Sequence, residues 1–252
     1  MATTSDIVPA GTEFPVWETT VRAARQAKVL GAADVDPARY GGTADPSILA
    51  TDCILGLRRA KFRLDRVVHL EQVIRQLGPV AIDEALSVSG KVAEVAPSRA
   101  GERSRVVFEF RRSNGTVAVS AEAVVLNAEP SALKAGSGEG DPRAGYRLSG
   151  RKLLTPPKVQ TYTEELANRI HFDPAYAVRF GLRAPTAPGL MELTWLVEAL
   201  AAKGLPKAFE IRAKFVAPLF WDDGVDILAT NGTMRCVSSA GVLTCEAQVQ
   251  AQ

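Results

Sequence analysis

The feature that most constrains this chain is a pattern that occurs twice. Asp36-Pro37-Ala38 recurs as Asp173-Pro174-Ala175, 137 residues further on. The segment GPVAIDEALSV (78–88) recurs loosely as APLFWDDGVDI (217–227), with Pro79 and Pro218 139 residues apart. GTVAVSAEAVV (115–125) resembles GVLTCEAQV (241–249). Any one match is weak. Three in the same order, two of them at nearly one separation, indicate a duplicated unit. At 252 residues the chain has room for two domains of ordinary size.

Between the copies, NAEPSALKAGSGEGDPRAGYRLSG (127–150) is rich in Gly, Pro, Ser and charge and has little periodicity, so it reads as a linker. The expected boundaries are a first unit over 1–126, the linker over 127–150, and a second unit over 151–252. In the first unit a helical run, TTVRAARQAKVLGAA, leads to the Asp-Pro turn. A second helix, PSILATDCILGLRRA, follows with Pro46 in its first turn. Alternating, β-branched segments come next: RVVHLEQVIRQL, ALSVSGKVAEV, SRVVFEFRR and TVAVSAEAVVL, the last two joined by the hairpin signal SNGT.

The second unit repeats that order with PKVQTYTEELANRI, the Asp-Pro turn, and PGLMELTWLVEALAAKG. In the last of these Leu190, Leu193, Leu196, Val197 and Leu200 form one broad apolar face, and Gly204 is a stop. The strands AFEIRAKFVAPLF, VDILAT, TMRCVS and VLTCEAQVQ close the unit. The expected architecture is α+β: a long central helix wrapped by a strongly curved antiparallel sheet, twice over, with no crossover βαβ pattern.

Composition narrows the function classes. An apolar share of 46% and a charged share of 23% are those of a soluble globular protein. A net charge of +2 argues against a dedicated nucleic-acid binder. No run approaches the roughly 18 apolar residues of a membrane span. The opening MATTSDIVPAGTEF has neither a basic leader nor an apolar core, so it does not read as a secretion signal. Cys53, Cys236 and Cys245 cannot all pair and lack metal-ligand spacing, which suits buried free thiols and a cytoplasmic location.

Chemistry concentrates in ELANRIHFDPAYA (165–177). It places His171, one of only two histidines, three residues after Asn168 and in front of an Asp-Pro pair. This order, with RIHFD just ahead of the second central helix, resembles the MaoC-like hotdog-fold family of (R)-specific enoyl-CoA hydratases and 3-hydroxyacyl-thioester dehydratases. The resemblance covers nearly the whole chain as a double hotdog, with a degenerate N-terminal unit and the motif on the C-terminal one. It implies action on acyl thioesters of coenzyme A or acyl carrier protein.

The family motif is Asp, any residue, Asn, two residues, His. Its histidine falls on His171, its asparagine on Asn168 and its aspartate on Leu166, which can neither accept nor donate a proton. RIHFD, including Arg169, is also similar to the mesaconyl-type hydratase branch, which likewise departs from the aspartate by carrying a polar amide. The usual His-Gly at the second helix start is Pro188-Gly189 here.

The resemblance implies His171 as base, Asn168 as orienting group, and the Gly189 N–H as donor to the thioester carbonyl, aided by the helix dipole. Substrate contacts are expected from Arg169, Glu165 and Pro188. The fork of Arg169 suits a carboxylate-bearing acyl group, with a surface ion pair as the alternative. Glu165 would need a local backbone shift to stand in for the missing acid. Glu164 shares that problem, and Asp173 lies beyond the histidine. The run RRAKFRLDR (58–66) reads as a solvated helix end that could also meet coenzyme A phosphates. His69 reads as structural. Trp195 and Trp221 read as core residues, with the border of an acyl tunnel as the alternative.

In the first unit Asp34 stands where His171 would be, and Gly31 where Asn168 would be. The acyl chain or pantetheine arm is therefore expected between the units, with chemistry only on the second. No metal or redox cofactor is called for; coenzyme A or phosphopantetheine is the substrate's carrier. Two rival functions remain open at this point. One is a non-catalytic acyl-thioester-binding subunit. The other is a different reaction in the same pocket, either thioester hydrolysis or a single-base isomerisation or cyclisation. The two units make a pseudo-dimer, which leaves open a homodimer or a pairing with a related hotdog chain.

Overall fold

A computed structural model describes residues 8–128 and 140–251. The first half runs β1 (Trp17–Thr20), α1 (Ala23–Ala32), α2 (Pro46–Arg59), β2 (Val67–Gln76), β3 (Ala85–Ser98), β4 (Gly101–Arg111) and β5 (Val117–Ala128). The second runs β6 (Arg147–Leu153), α3 (Pro156–Thr163), α4 (Pro174–Arg179), α5 (Gly189–Ala201), β7 (Phe209–Phe215), β8 (Gly224–Ala229), β9 (Thr233–Ser238) and β10 (Leu243–Ala251).

All ten strands form one sheet, in the order β1-β3-β4-β5-β2-β7-β10-β9-β8-β6, with antiparallel pairing throughout. Read outward from the middle, β2-β5-β4-β3-β1 is matched by β7-β10-β9-β8-β6. The two copies therefore meet at the β2·β7 ladder, which runs from Gln76↔Phe209 to Glu71↔Lys214. Each copy is a curved antiparallel sheet around one long helix, so the chain is an α+β double hotdog.

The duplication reaches individual hydrogen bonds. Asp36 Oδ1 accepts from Ala38 N at 2.9 Å and Asp173 Oδ1 from Tyr176 N at 3.0 Å, each with proline at the first helical position. Isolated bridges Thr43↔Ala81 and Thr186↔Phe220 occupy corresponding places. So do the bonds Ala44 N→Val80 O and Ala187 N→Leu219 O, both 2.8 Å.

The central helices are buried along most of their length, as apolar content on all sides requires. They touch where the Ser47 and Thr194 hydroxyls lie 2.8 Å apart, so that buried polar contact is satisfied. Trp195 is a core residue whose indole N–H donates to Ala33 O at 2.8 Å, and Trp221 is partly buried against the core. The three cysteines are buried and free, with Cys236 opposite Cys245 in the β9·β10 register.

Three local expectations change. Strands β1 and β6 carry no strong sequence signal: β1 is four residues long and β6 alternates between exposed and half-exposed positions. Because β5 continues to Ala128 and β6 begins at Arg147, strand occupies both ends of the segment read as a linker; its middle, 129–139, lies outside the described residues. The helix expected over PKVQTYTEELANRI stops at Thr163. Ala167 then turns left-handed at φ 49°, and the Asn168 side chain caps a short 3-10 turn over Arg169–His171 by accepting from Ile170 N. Such local side-chain bonding competes with helix continuation.

Candidate active site

The β2·β7 ladder ends at Glu71 and Lys214, and beyond that point the two strands part. Val216 leaves the ladder, its N–H donating to Thr244 O at 2.8 Å. On the other side a register shift in the β2·β5 ladder between His69 and Glu71 re-aims the strand, as bulges beside sites commonly do. Between them opens a cavity of about 280 Å³. Its wall draws on both halves: Val67–Leu70 from β2, residues 215–219 after β7, the segment around 166–171, and the first turn of α5.

His171 lines this cavity. Its Nδ1 lies 2.8 Å from Thr186 O, so Nδ1–H donates to that carbonyl and Nε2 is left as the unprotonated acceptor. Burial pushes the imidazole down to about 4, which keeps it neutral near pH 7. A neutral imidazole with a free Nε2 can accept a proton.

The neighbouring motif positions converge on the same space. Leu166 is 4% exposed and its side chain is part of the wall, so the place of the expected aspartate is apolar. Asn168 also lines the wall, but its amide is committed. Oδ1 accepts from Ile170 N at 3.3 Å and Nδ2 donates to Leu64 O at 3.0 Å, tying the turn to the first half.

Pro188 and Gly189 line the cavity at the start of α5. Pro188 supplies no side-chain cap to the first-turn N–H groups, of which Met191 N–H donates to Pro188 O at 2.9 Å. A Cβ on Gly189 would overlap the Phe215 ring, which gives the glycine a packing reason besides the close approach of a ligand.

Two residues assigned to substrate lie elsewhere. Glu165 is held by Arg25, which also binds buried Asp52 at 2.7 Å, and it takes no part in the cavity wall. The left-handed turn at Ala167 swings Leu166, and not Glu165, inward. Arg169 pairs with Asp173 in an i,i+4 ion pair and lies over the Tyr176 ring at 4.9 Å, also outside the wall. Its fork is already occupied, which removes the reason to assign it a substrate carboxylate.

The basic run 58–66 is partly consumed too. Arg58 donates to Leu166 O, and Arg59 lies over Trp17 at 5.5 Å; the side chain of Arg66 lies outside the described residues. Lys158 binds the Asp34 carboxylate at 2.6 Å, so the counterpart of His171 in the first unit is a surface ion-pair residue.

Two cavity residues escaped the sequence reading. His69 stands in the wall, not merely in a structural strand. Its Nε2 is 3.1 Å from Glu71 O, its ring centroid is 4.9 Å from that of Phe215, and burial lowers it to about 4. Glu192 is 2% exposed, lines the cavity one turn into α5, and is pushed up by burial to about 8. A single charged residue inside the largely apolar run LMELTWLV was the available signal for it. Among the described residues no cluster of three or more His, Cys, Asp or Glu could hold a metal ion, and no helix is long and apolar enough to cross a membrane.

No family model matches this sequence, and no curated protein matches it significantly. Solved structures do. HtdX of Mycobacterium tuberculosis superposes with a TM-score of 0.78 at 18% identity, over 94% of this chain and 100% of that one. A MaoC-like dehydratase from Phytophthora capsici gives 0.75 at 16% identity, over 99% of each chain. An acyl-ACP thioesterase from Bacteroides thetaiotaomicron gives a lower 0.58 at 12% identity, over 94% of this chain and 96% of that one. The class defined is the hotdog fold shared by dehydratases and thioesterases. The likeness to the MaoC-like dehydratases, with TM-scores of 0.78 and 0.75, is one of fold and spans both halves of the chain.

Proposed function

We propose that the protein is a MaoC-like acyl-thioester hydratase or dehydratase, interconverting trans-2-enoyl and 3-hydroxyacyl thioesters of coenzyme A or acyl carrier protein. The observation that carries this reading is the pairing of His171 with the open start of α5. A neutral imidazole with a free Nε2 shares an apolar cavity with an uncapped helix N-terminus. In the hydration direction His171 Nε2 takes a proton from water as its oxygen attacks C3. The Gly189 N–H donates to the thioester oxygen, on which negative charge develops. Asn168 positions the turn that carries His171. The apolar walls take the acyl group, the pantetheine arm enters between the units, and chemistry is confined to the second unit. The RIHFD segment aligns the site with the mesaconyl-type branch.

A second reading, an acyl-thioester-binding subunit without turnover, is favoured by Leu166 in the cavity wall. Thioester hydrolysis is favoured by the likeness to the acyl-ACP thioesterase. One experiment separates the three. Short, long and carboxylated trans-2-enoyl-CoA thioesters are incubated with the native protein and with Leu166→Asp, following the conjugated-thioester absorbance and free thiol. Hydration predicts loss of absorbance without thiol release, and a gain in Leu166→Asp of up to about 10²-fold. Thiol release would replace this reading with a thioesterase. Absence of both, together with a thermal shift on ligand addition, would leave the binding subunit.

A further inference from the structure

Hydration needs two proton movements, one off water and one onto C2. The aspartate that would share this work is a leucine. We infer that Glu192 is the second proton-transfer group of this cavity, acting as the acid that protonates C2. The inference rests on the hydratase reading and names the group which that reading leaves missing.

Position comes first. Glu192 lies three residues after Gly189 on α5, so the two share a helix face one turn apart. Both line the cavity that holds His171. If Gly189 N–H receives the thioester oxygen, C2 lies one bond beyond the carbonyl carbon, within the cavity that Glu192 also lines. The hydrogen bonding of the carboxyl also fits. Thr244 Oγ1 lies 2.5 Å from Glu192 Oε1, the one hydrogen-bond partner of that carboxyl among the described residues, and 3.1 Å from Cys236 O. The Cys236 carbonyl can only accept, so it takes the single hydroxyl proton of Thr244, and the protonated Glu192 carboxyl donates to Thr244 Oγ1, an arrangement that suits its acid form.

The surroundings favour the neutral acid. The titratable groups facing it from the sheet are Cys236 on β9 and Cys245 on β10, both thiols raised by burial and uncharged. The cavity histidines are neutral as well. No Lys or Arg among the described residues forms an ion pair with Glu192, and burial alone lifts it to about 8. At neutral pH it holds a proton to give.

The step balances. His171 Nε2 takes one proton from water, and the water oxygen bonds to C3. The C2–C3 π pair shifts to form the thioester enolate, held at Gly189 N–H. The enolate collapses as C2 takes the proton from the Glu192 carboxyl. The imidazolium then returns its proton to the carboxylate through water. The substrate has gained one water and the protein is unchanged.

The test is steady-state hydration by the native protein, Glu192→Gln and Glu192→Asp across the pH range around 8, with circular dichroism as a check on folding. Glutamine keeps a hydrogen-bond partner for Thr244 but has no proton of use. The expected result is a kcat lower by about 10²- to 10⁴-fold with KM little changed, partly recovered in Glu192→Asp. The alkaline limb of the native profile, falling through about 8, is expected to vanish in the glutamine variant. A folded Glu192→Gln protein that keeps native kcat and the alkaline limb overturns this inference while the hydratase reading stands. A native protein inert toward every enoyl thioester overturns both.

Discussion

At the start of α2 the Asp45 carboxylate accepts from Ser47 N at 2.8 Å, and the Asp45 N–H donates to Gln26 Oε1 at 2.7 Å. At the matching start of α5, Pro188 offers neither a side-chain cap nor an N–H. The first helix end is closed by its own residues; the second opens into the cavity with Gly189 at its rim. A helix N-terminus is a ready place for negative charge, and a cap uses up that capacity. The first unit therefore closes its helix end with a cap, and the second leaves its helix end without one, facing the cavity. The closed end is not without cost. Asp45 is fully buried with Oδ2 unpartnered, and burial raises it to about 6.

Copying the closed end onto the open one breaks the comparison most sharply. Pro188→Asp places a capping carboxylate at the start of α5. Turnover is expected to fall by about 10²- to 10³-fold, the scale of losing an oxyanion donor. Chemical denaturation should meanwhile show a gain on the order of 0.5–2 kcal/mol from the cap. If turnover is unaffected, the open helix end is not where the thioester oxygen sits.

The glycines extend the contrast. Gly189→Ala forces a methyl into the Phe215 ring and should cost about 1–3 kcal/mol in urea unfolding. Gly31→Ala, in α1 with nothing within 4 Å of the added carbon, should gain at most about 1 kcal/mol.

Stability against pH reads the cavity groups directly. His171 and His69 fall from 6.5 to about 4 in the folded protein, so the stability they contribute is present above 6.5 and lost as pH falls toward 4. Glu192 has the opposite sign: raised from 4.5 to about 8, its contribution is present below 4.5 and lost as pH rises through 8. Melting temperatures of Glu192→Gln should therefore decline less than native ones on the alkaline side. Parallel curves would mean that Glu192 ionises as freely when folded as when unfolded.

Much of the fold was legible because duplication writes each element twice. The Asp-Pro turns, the two central helices and the eight strands other than β1 and β6 all have local patterns that match their final state. The edge strands β1 and β6 were missed because their positions are exposed or half-exposed and their pairing comes from neighbours far along the chain. At the site, the spacing of His171, Asn168 and Leu166 was legible because all three sit on one short turn. The fates of Glu165 and Arg169 were not, since Arg25 and Asp173 claim them through folding. His69 could not be read as a cavity residue either. Its exposure depends on where the β2·β7 ladder ends, which is a property of two strands about 140 residues apart.

The central claim is that one unit works and the other is a wall. Its most direct test is the hydration rate of a responsive trans-2-enoyl-CoA by native protein, His171→Ala and Asp34→Ala, the last being the first-unit counterpart of the histidine. The account predicts loss of about 10²- to 10⁴-fold in His171→Ala alone, with Asp34→Ala turning over at the native rate. Equal losses in both variants, or an undiminished His171→Ala, would contradict it.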